Sequence, residues 1–329
     1  MIQIFVHLNR IGIVGTCKVV DLLRSRCVKH TTFGSINPSP PAQSRLGDSV
    51  VPVTPLLLVV FVASAACAFA WIASLVSGDT SWVDRSWSIV PVIYVLIFAA
   101  FGHFTNARLD LMACLVTIWG VRLTYNFARK GGYTGVEDYR WPVLRASMSA
   151  WKFQLFNFFF IVLYQNFLLV LIALPALTAY QHRSTPLRPL DVVLGAVFLV
   201  CTVAETVADQ QQWNFQQWKL AEVEAGREPE IRFVQTGLFR YSRHPNYFYE
   251  QAQWWILFLI GAVAAGSLFE WTIIGAFLLT LLFLGSTSFT ERLTLERYPE
   301  YAQYQKTTSA MIPWTTGAPR SLVQTAQSD

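Results

Sequence analysis

Arg240, Tyr241, Arg243, His244, Asn246, Tyr247, Tyr249 and Glu250 crowd cations, phenols, amides and a carboxylate directly against the apolar run that begins at Trp254-Trp255-Ile256. Polar groups this dense beside hydrocarbon suit a large anionic cofactor that meets a lipophilic substrate. Arg240 and Arg243 offer planar forks for phosphate, and His244 can donate to a phosphate or a carboxamide. Pro245, with its fixed φ, opens a helix that carries Asn246, Tyr247 and Glu250. Anchoring at a membrane surface explains Arg240 and Tyr241 but neither Asn246 nor Glu250.

Three other polar groups recur at the ends of apolar runs. Arg122, Tyr125, Asn126 and Arg129 have i, i+3 and i+4 spacings, which place them on one helical face. An arginine that deep in an apolar run is costly unless it is paired or lines a wet cavity, so Arg122 reads as a pocket residue; snorkelling to the interface is the other reading. The loop after it, Gly131-Gly132 and then Glu137-Asp138-Tyr139-Arg140-Trp141, could approach phosphates or simply cap the helix. Glu205 and Asp209 stand at i, i+4 before Gln210-Gln211-Gln212 and Trp213. Two carboxylates on one face repel, and a ligand with ribose hydroxyls and a carboxamide would compensate them, as would pairing with Arg122 or Arg243. Glu291 and Tyr298 share a helical face near the C-terminus, where an interfacial amphipathic helix would give the same pattern. No two histidines stand at ligand spacing, and the five cysteines form no C-x-x-C pair, so neither a metal site nor a disulfide framework is expected.

The elements that must position these groups are membrane helices. Of 329 residues 53% are hydrophobic and 14% charged, against about 25% charged in soluble domains. The net charge of +5 follows from positive-inside loops, and nucleic-acid binding is excluded because no basic patch accompanies a recognition motif. Apolar stretches long enough to span a bilayer run over 54–76, 86–102, 109–127, 155–179, 190–208, 252–268 and 270–288, which predicts an all-α polytopic membrane bundle of seven helices. Pro91 and Pro175 predict kinks within it. Loop cations cluster at 129–152, at 219–243 and after 291, so the cytosolic side is expected to hold the C-terminus and the 209–251 segment. Residues 1–52 form a basic, acid-poor tail, disordered or like an organellar presequence, set apart from a membrane domain over 53–329.

The stretch Thr236-Gly237-Leu238-Phe239-Arg240-Tyr241-Ser242-Arg243-His244-Pro245-Asn246-Tyr247, with Glu250 and Trp254-Trp255, resembles the signature of the steroid 5-alpha-reductase-like membrane family, and more closely its uncharacterised branch. Asp84-Arg85-Ser86-Trp87, Trp119-Gly120-Val121-Arg122-Leu123, the 137–145 loop, Glu205 with Asp209 and the 298–314 tail extend the resemblance over about residues 80–315. It implies that NADPH enters from the cytosolic side of an endoplasmic-reticulum membrane, an organellar membrane being the alternative. NADPH would give hydride to a carbon–carbon double bond of a sterol, polyprenyl or fatty-acyl-like substrate. By matching position, Asn246 and Glu250 would hold the cofactor, Asp209 its ribose or nicotinamide part, and Arg243 and Tyr247 its phosphates. Arg129, Glu205, Arg240, His244, Glu291 and Tyr298 complete the expected cofactor set. Asp84 or Tyr125 would supply the acid, and Arg122 would neutralise the developing oxyanion. Tyr249 stands where the family has glycine, and the early helices lack counterparts of the enone-polarising Glu and Tyr, which points away from a steroid. Isoprenylcysteine carboxyl methyltransferases share an Arg-His-Pro-x-Tyr element, so an S-adenosylmethionine-dependent methyltransferase is the alternative, and a non-enzymatic lipid-binding protein the third reading.

Overall fold

The computed structural model describes residues 54–313, and the expected tail over 1–52 lies outside them. Helices account for most of the described chain: α1 (Pro55–Ser77), α2 (Trp82–Ser86), α3 (Val90–Phe101), α4 (Ala107–Arg129), α5 (Arg140–Ala146), α6 (Ala150–Phe156), α7 (Gln165–Ala173), α8 (Pro175–Gln181), α9 (Pro189–Glu224), α10 (Pro245–Ala265), α11 (Ile273–Arg297) and α12 (Tyr301–Thr307). A π-helix, Asn157–Tyr164, joins α6 to α7, and a 3₁₀ turn, Gly237–Arg240, precedes α10.

Local chemistry sets the ends. The Thr54 hydroxyl accepts from Leu57 N at 3.2 Å and the Asn106 amide from Leu109 N at 3.0 Å, capping α1 and α4. Proline sits in the first turn of α1, α3, α8, α9 and α10, where its missing N–H costs nothing. Both predicted kinks are present as helix breaks: Pro91 starts α3 after the Trp87–Ile89 turn, and Pro175 starts α8 where α7 stops.

Six helices or helix runs among the described residues are long and apolar enough to cross a membrane: Pro55–Ser77, Trp82–Phe101, Ala107–Arg129, Ala150–Gln181, Pro189–Glu224 and Ile273–Arg297. The expected seventh, 252–268, falls mostly within the apolar second half of α10, whose first half carries Asn246, Tyr247, Glu250, Gln251 and Gln253. That helix is buried along most of its length and packs on α4, α8, α9 and α11. Shielded from lipid by protein, it tolerates polar groups that a peripheral span would not. By contrast α1 lies at the rim, with Phe61 70% and Val76 83% exposed. Small residues permit the tight crossings: a Cβ at Gly261 would meet the Pro175 carbonyl oxygen at 2.9 Å, and one at Gly275 would collide with the Leu171 backbone.

At the end of the bundle away from the polar motifs, Arg108 is 1% exposed and fully engaged. Its Nε and Nη2 donate to the two Asp191 oxygens at 3.0 and 2.8 Å, its Nη1 to the Thr185 hydroxyl at 2.8 Å and its Nη2 to the Pro186 carbonyl at 2.7 Å. The start of α4 is thereby tied to the start of α9. Arg108→Ala strands the Asp191 carboxylate, also fully buried, and a broken buried pair costs about 3–5 kcal/mol. We expect a clear drop in the melting temperature of the detergent-purified protein, whereas Arg183→Ala, a nearby exposed arginine, leaves it unchanged.

Candidate functional site

Three helices converge on Arg122. On the guanidinium of this α4 residue, Nη2 lies 2.7 Å from Glu205 and 3.4 Å from Glu250, and Nη1 lies 2.8 Å from Asp209. Glu205 and Asp209 come from α9 and Glu250 from α10, and none is more than 4% exposed. Each carboxylate has further donors. The indoles of Trp119 and Trp254 donate to the two Glu250 oxygens at 2.8 and 3.1 Å. Asn126 donates to Asp209 Oδ2 at 2.6 Å and Asn246 to Oδ1 at 3.4 Å. Gln253 donates to Glu205 at 2.7 Å while accepting from the Thr202 hydroxyl at 2.7 Å.

Arg129 closes the outer edge, donating to Asn126 at 2.9 Å and Gln210 at 2.6 Å with its guanidinium over the Trp213 ring. Just past the helix, the Lys130 ammonium is buried without a hydrogen-bond partner, and burial pulls its pKa down to about 8 against the opposing attraction of Asp209. Three carboxylates thus face three cations, Arg122, Arg129 and Lys130. By formal charge the centre sums to zero, although only Arg122 touches the carboxylates.

A second centre lies on the loop side of the first. Arg243 grips Glu291 with Nε and Nη2 at 2.6 and 2.9 Å, and its Nη1 donates to the carbonyls of Gln305 and Thr308. His244 Nε2 lies 3.0 Å from Glu291, Tyr301 donates to it at 3.2 Å and Gln305 at 2.8 Å. Tyr304 donates to the Phe239 carbonyl. Burial raises the pKa of both Tyr301 and Tyr304 above the ordinary phenol value, so both remain donors. These bonds pin α12 and the chain after it onto the 237–247 motif, where Arg243 N and His244 N also donate to the Ser309 and Ala310 carbonyls.

Between the two centres opens a cleft of about 80 Å³, lined by Gln212, Arg232, Arg243, His244, Asn246, Tyr247, Tyr298, Tyr301 and Tyr304 among others. Asn246 belongs to both, one of its neighbours being Asp209 and the other the cleft.

The placement of the sequence-derived candidates follows. Arg122, Glu205, Asp209, Asn246 and Glu250 meet in one cluster, with Arg129 at its rim. Arg243, His244 and Glu291 form the second centre, and Tyr247 and Tyr298 line the cleft. Arg240 is exposed on the 3₁₀ turn. Tyr125 is 67% exposed and stays out of the cluster: three residues advance the helix about 300°, which leaves it about 60° off the Arg122 direction. Asp84 belongs to a third group, accepting from the Trp141 indole at 2.9 Å beneath the 137–141 loop, apart from Arg122. Gln253, Thr202, Lys130, Tyr301 and Gln305 were not foreseen. Gln253 stands three residues from Glu250 on the same helix, and that spacing was the available signal.

The described residues define a polytopic α-helical membrane protein with a buried ionic centre. The chain belongs to the family described as "Protein of unknown function (DUF1295)", whose model matches residues 70–308. It is similar to an uncharacterized protein of Schizosaccharomyces pombe, 38% identical over 265 residues that cover 75% of this chain and 76% of that one. No solved structure matches it.

Arg122 is the cation shared by all three acids. Arg122→Met leaves three buried carboxylates short of their common partner and should abolish recovery of monodisperse protein, as breaking a buried pair costs about 3–5 kcal/mol. Arg122→Lys, which keeps the charge but not the fork, should be recovered with a lowered melting temperature. Size-exclusion chromatography and thermal denaturation in detergent check both.

Proposed function

We propose that the chain is an NADPH-dependent membrane reductase acting on a carbon–carbon double bond of a lipophilic substrate. The observation that supports this most is the joining of two chemistries at Asn246: a loop-side cleft rich in phenols, amides and arginine, and a bilayer-side ionic centre that carries no excess charge. A self-neutralised centre offers hydrogen bonds and not net charge. That suits ribose hydroxyls and a carboxamide better than the sulfonium and ammonium of S-adenosylmethionine, which would favour an excess of carboxylate.

The donor set fits such a cofactor. Asp209 and Glu205 are acceptors for hydroxyls, Asn246 and Gln212 can pair with a carboxamide, and the Lys130 ammonium and Arg122 Nε are buried donors without a partner among the described residues. Arg232 and Tyr298 at the mouth of the cleft would take phosphates. Arg243 and His244, committed to Glu291, would hold α12 in place as the wall of the cleft. At about 80 Å³ the cleft is smaller than a dinucleotide, so the proposal requires the 232–234 segment to swing outward against the fixed wall of α12.

Bound NADPH would supply the hydride. The residues would orient it: Glu250, fixed by two indoles and Arg122, keeps Asn246 and Asp209 in register one helical turn outward, and the Trp119–Trp254 pair excludes water from the bilayer side. The cleft facing the cytosol belongs to the same proposal and is supported by the cationic loops beside it; the endoplasmic-reticulum membrane is what the family resemblance implies.

Thermal denaturation of the purified protein tests the reading, since a ligand that binds only the folded state at a hundredfold excess over its Kd stabilises by about 2.7 kcal/mol. NADPH should raise the melting temperature, NADH less, and S-adenosylmethionine not at all. Asn246→Ala should weaken the NADPH effect about tenfold in apparent Kd without loss of expression, a deficit of about 1.4 kcal/mol. A shift with S-adenosylmethionine alone makes the protein a methyltransferase candidate, and a shift with neither makes it a lipid-binding protein.

A further inference from the structure

Between α9 and the 3₁₀ turn, residues 228–235 form neither helix nor strand. Both ends of this strap are fixed to α9. At the first, Gly226 in the left-handed region (φ +73°) lets Arg227 N donate to the Glu222 carbonyl at 2.9 Å, and the Arg227 fork grips the Glu222 carboxylate at 2.6 and 2.8 Å. At the second, Gly237 (φ +59°) lies so close to Gln211 that a Cβ would collide with its amide, whose oxygen accepts from Leu238 N at 2.9 Å.

The middle is held far less. Among the described residues no backbone group of 228–235 bonds to another backbone group. The Arg232 carbonyl accepts from the Lys219 ammonium at 3.0 Å. Phe233 meets Tyr301 edge-on with ring centroids 4.9 Å apart and stacks on Tyr304 at 5.6 Å, and Val234 is buried with Ala208 and Phe239. Arg232, Phe233 and Val234 line the cleft, so what covers it rests on two apolar side chains and one hydrogen bond. That bond comes from a shared cation. The Lys219 ammonium also donates to the Tyr298 hydroxyl at 3.1 Å and lies 4.9 Å from the centroid of that ring. Gln212 and Gln216, seven and three residues back on the same face of α9, line the cleft with Tyr298, which puts Lys219 at its edge.

We propose that residues 228–235 are a lid over the cleft and that Lys219 is a latch released by phosphate. A phosphate entering beside Tyr298 draws the ammonium to itself, because a hydrogen bond between two charged groups is stronger than one to a neutral carbonyl. The Arg232 carbonyl loses its donor, and only Phe233 and Val234 still hold the lid. Entry of a phosphate ligand thereby loosens the segment that must move to admit it, whereas a ligand without phosphate leaves the latch closed. The inference deepens the reductase reading and rests on it only for the dinucleotide as the source of the phosphate.

Thiol labelling of the full-length protein in detergent tests it. The variant Val234→Cys places a thiol under the lid, where a soluble maleimide reaches it only on local opening. Mass spectrometry of the peptide that carries position 234 separates this thiol from the native cysteines. Sodium pyrophosphate should speed its labelling about fivefold, the equivalent of one net hydrogen bond, and sodium chloride at equal ionic strength should not. With Lys219→Met added, labelling should be about fivefold faster before any ligand is present and should no longer respond to pyrophosphate. Equal rates with and without Lys219, a response to chloride as large as that to pyrophosphate, or no response to pyrophosphate would each overturn the latch. A melting temperature of Val234→Cys close to that of the parent shows that the reporter leaves the fold intact, and Ile231→Cys, buried in the same segment, replaces it otherwise. NADPH, larger than the closed cleft, should act as pyrophosphate does and at lower concentration. A response to pyrophosphate without one to NADPH supports the latch and counts against the reductase reading alone.

Discussion

An arginine side chain cannot stay charged in hydrocarbon without partners, and the way Arg122 is satisfied dictates the arrangement of the three helices around it. Its fork reaches carboxylates on α9 and α10, so α4, α9 and α10 must approach at one level with their polar faces turned inward. Each acid then needs donors of its own, and the indoles of Trp119 and Trp254, the amides of Asn126, Asn246 and Gln253 and the hydroxyl of Thr202 supply them. One buried charge thereby recruits side chains from three helices, and displacing any of the three would strand several groups together. Apolar packing could not impose that selectivity, since Leu against Leu is much the same at neighbouring registers and lipid competes equally well.

The long α9 converts this internal constraint into a surface. Its 36 residues extend about 54 Å at 1.5 Å per residue, well beyond a hydrocarbon core of about 30 Å. The same helix that buries Glu205 and Asp209 therefore carries Gln212 and Gln216 out to the cleft and Lys219 to the Tyr298 hydroxyl at 3.1 Å. Glu291 does the corresponding work on α11: it extends a membrane span into an anchor for Arg243, His244 and α12. The cleft is in this sense a by-product of two spans that outlast the membrane, bridged by Lys219 and Tyr298, with the 237–247 motif and α12 held on by Glu291.

Much of this was legible in the order of residue types. Runs of aliphatic residues marked the spans, Pro91 and Pro175 marked the breaks, and pairing with Arg122 was one of the readings that the spacing of Glu205 and Asp209 offered, beside Arg243 and a ligand. What stayed hidden depended on rotation and on neighbours. Tyr125 shares a nominal face with Arg122, but a 60° offset carries it to the exposed side. Asp84 reads as one more intramembrane acid, yet the 137–141 loop folds over it and gives it the Trp141 indole in place of Arg122. The shortfall in α10 arose the same way, because an apolar window cannot register that α4, α8, α9 and α11 enclose a helix whose first half is polar.

Polar groups in the bundle are of two kinds, ionic and neutral. In the ionic tier around Arg122 each carboxylate has several donors, while Arg122 Nε and the Lys130 ammonium are left over. In the neutral tier, at Tyr94, Asn157, Gln165 and Asn166, hydrogen-bonding capacity is left over as well. A fully satisfied network stabilises without a ligand, whereas an unsatisfied one is stabilised by acquiring one. The rim helix α1, exposed along most of its length, is the least buried of the six long apolar helices or helix runs among the described residues.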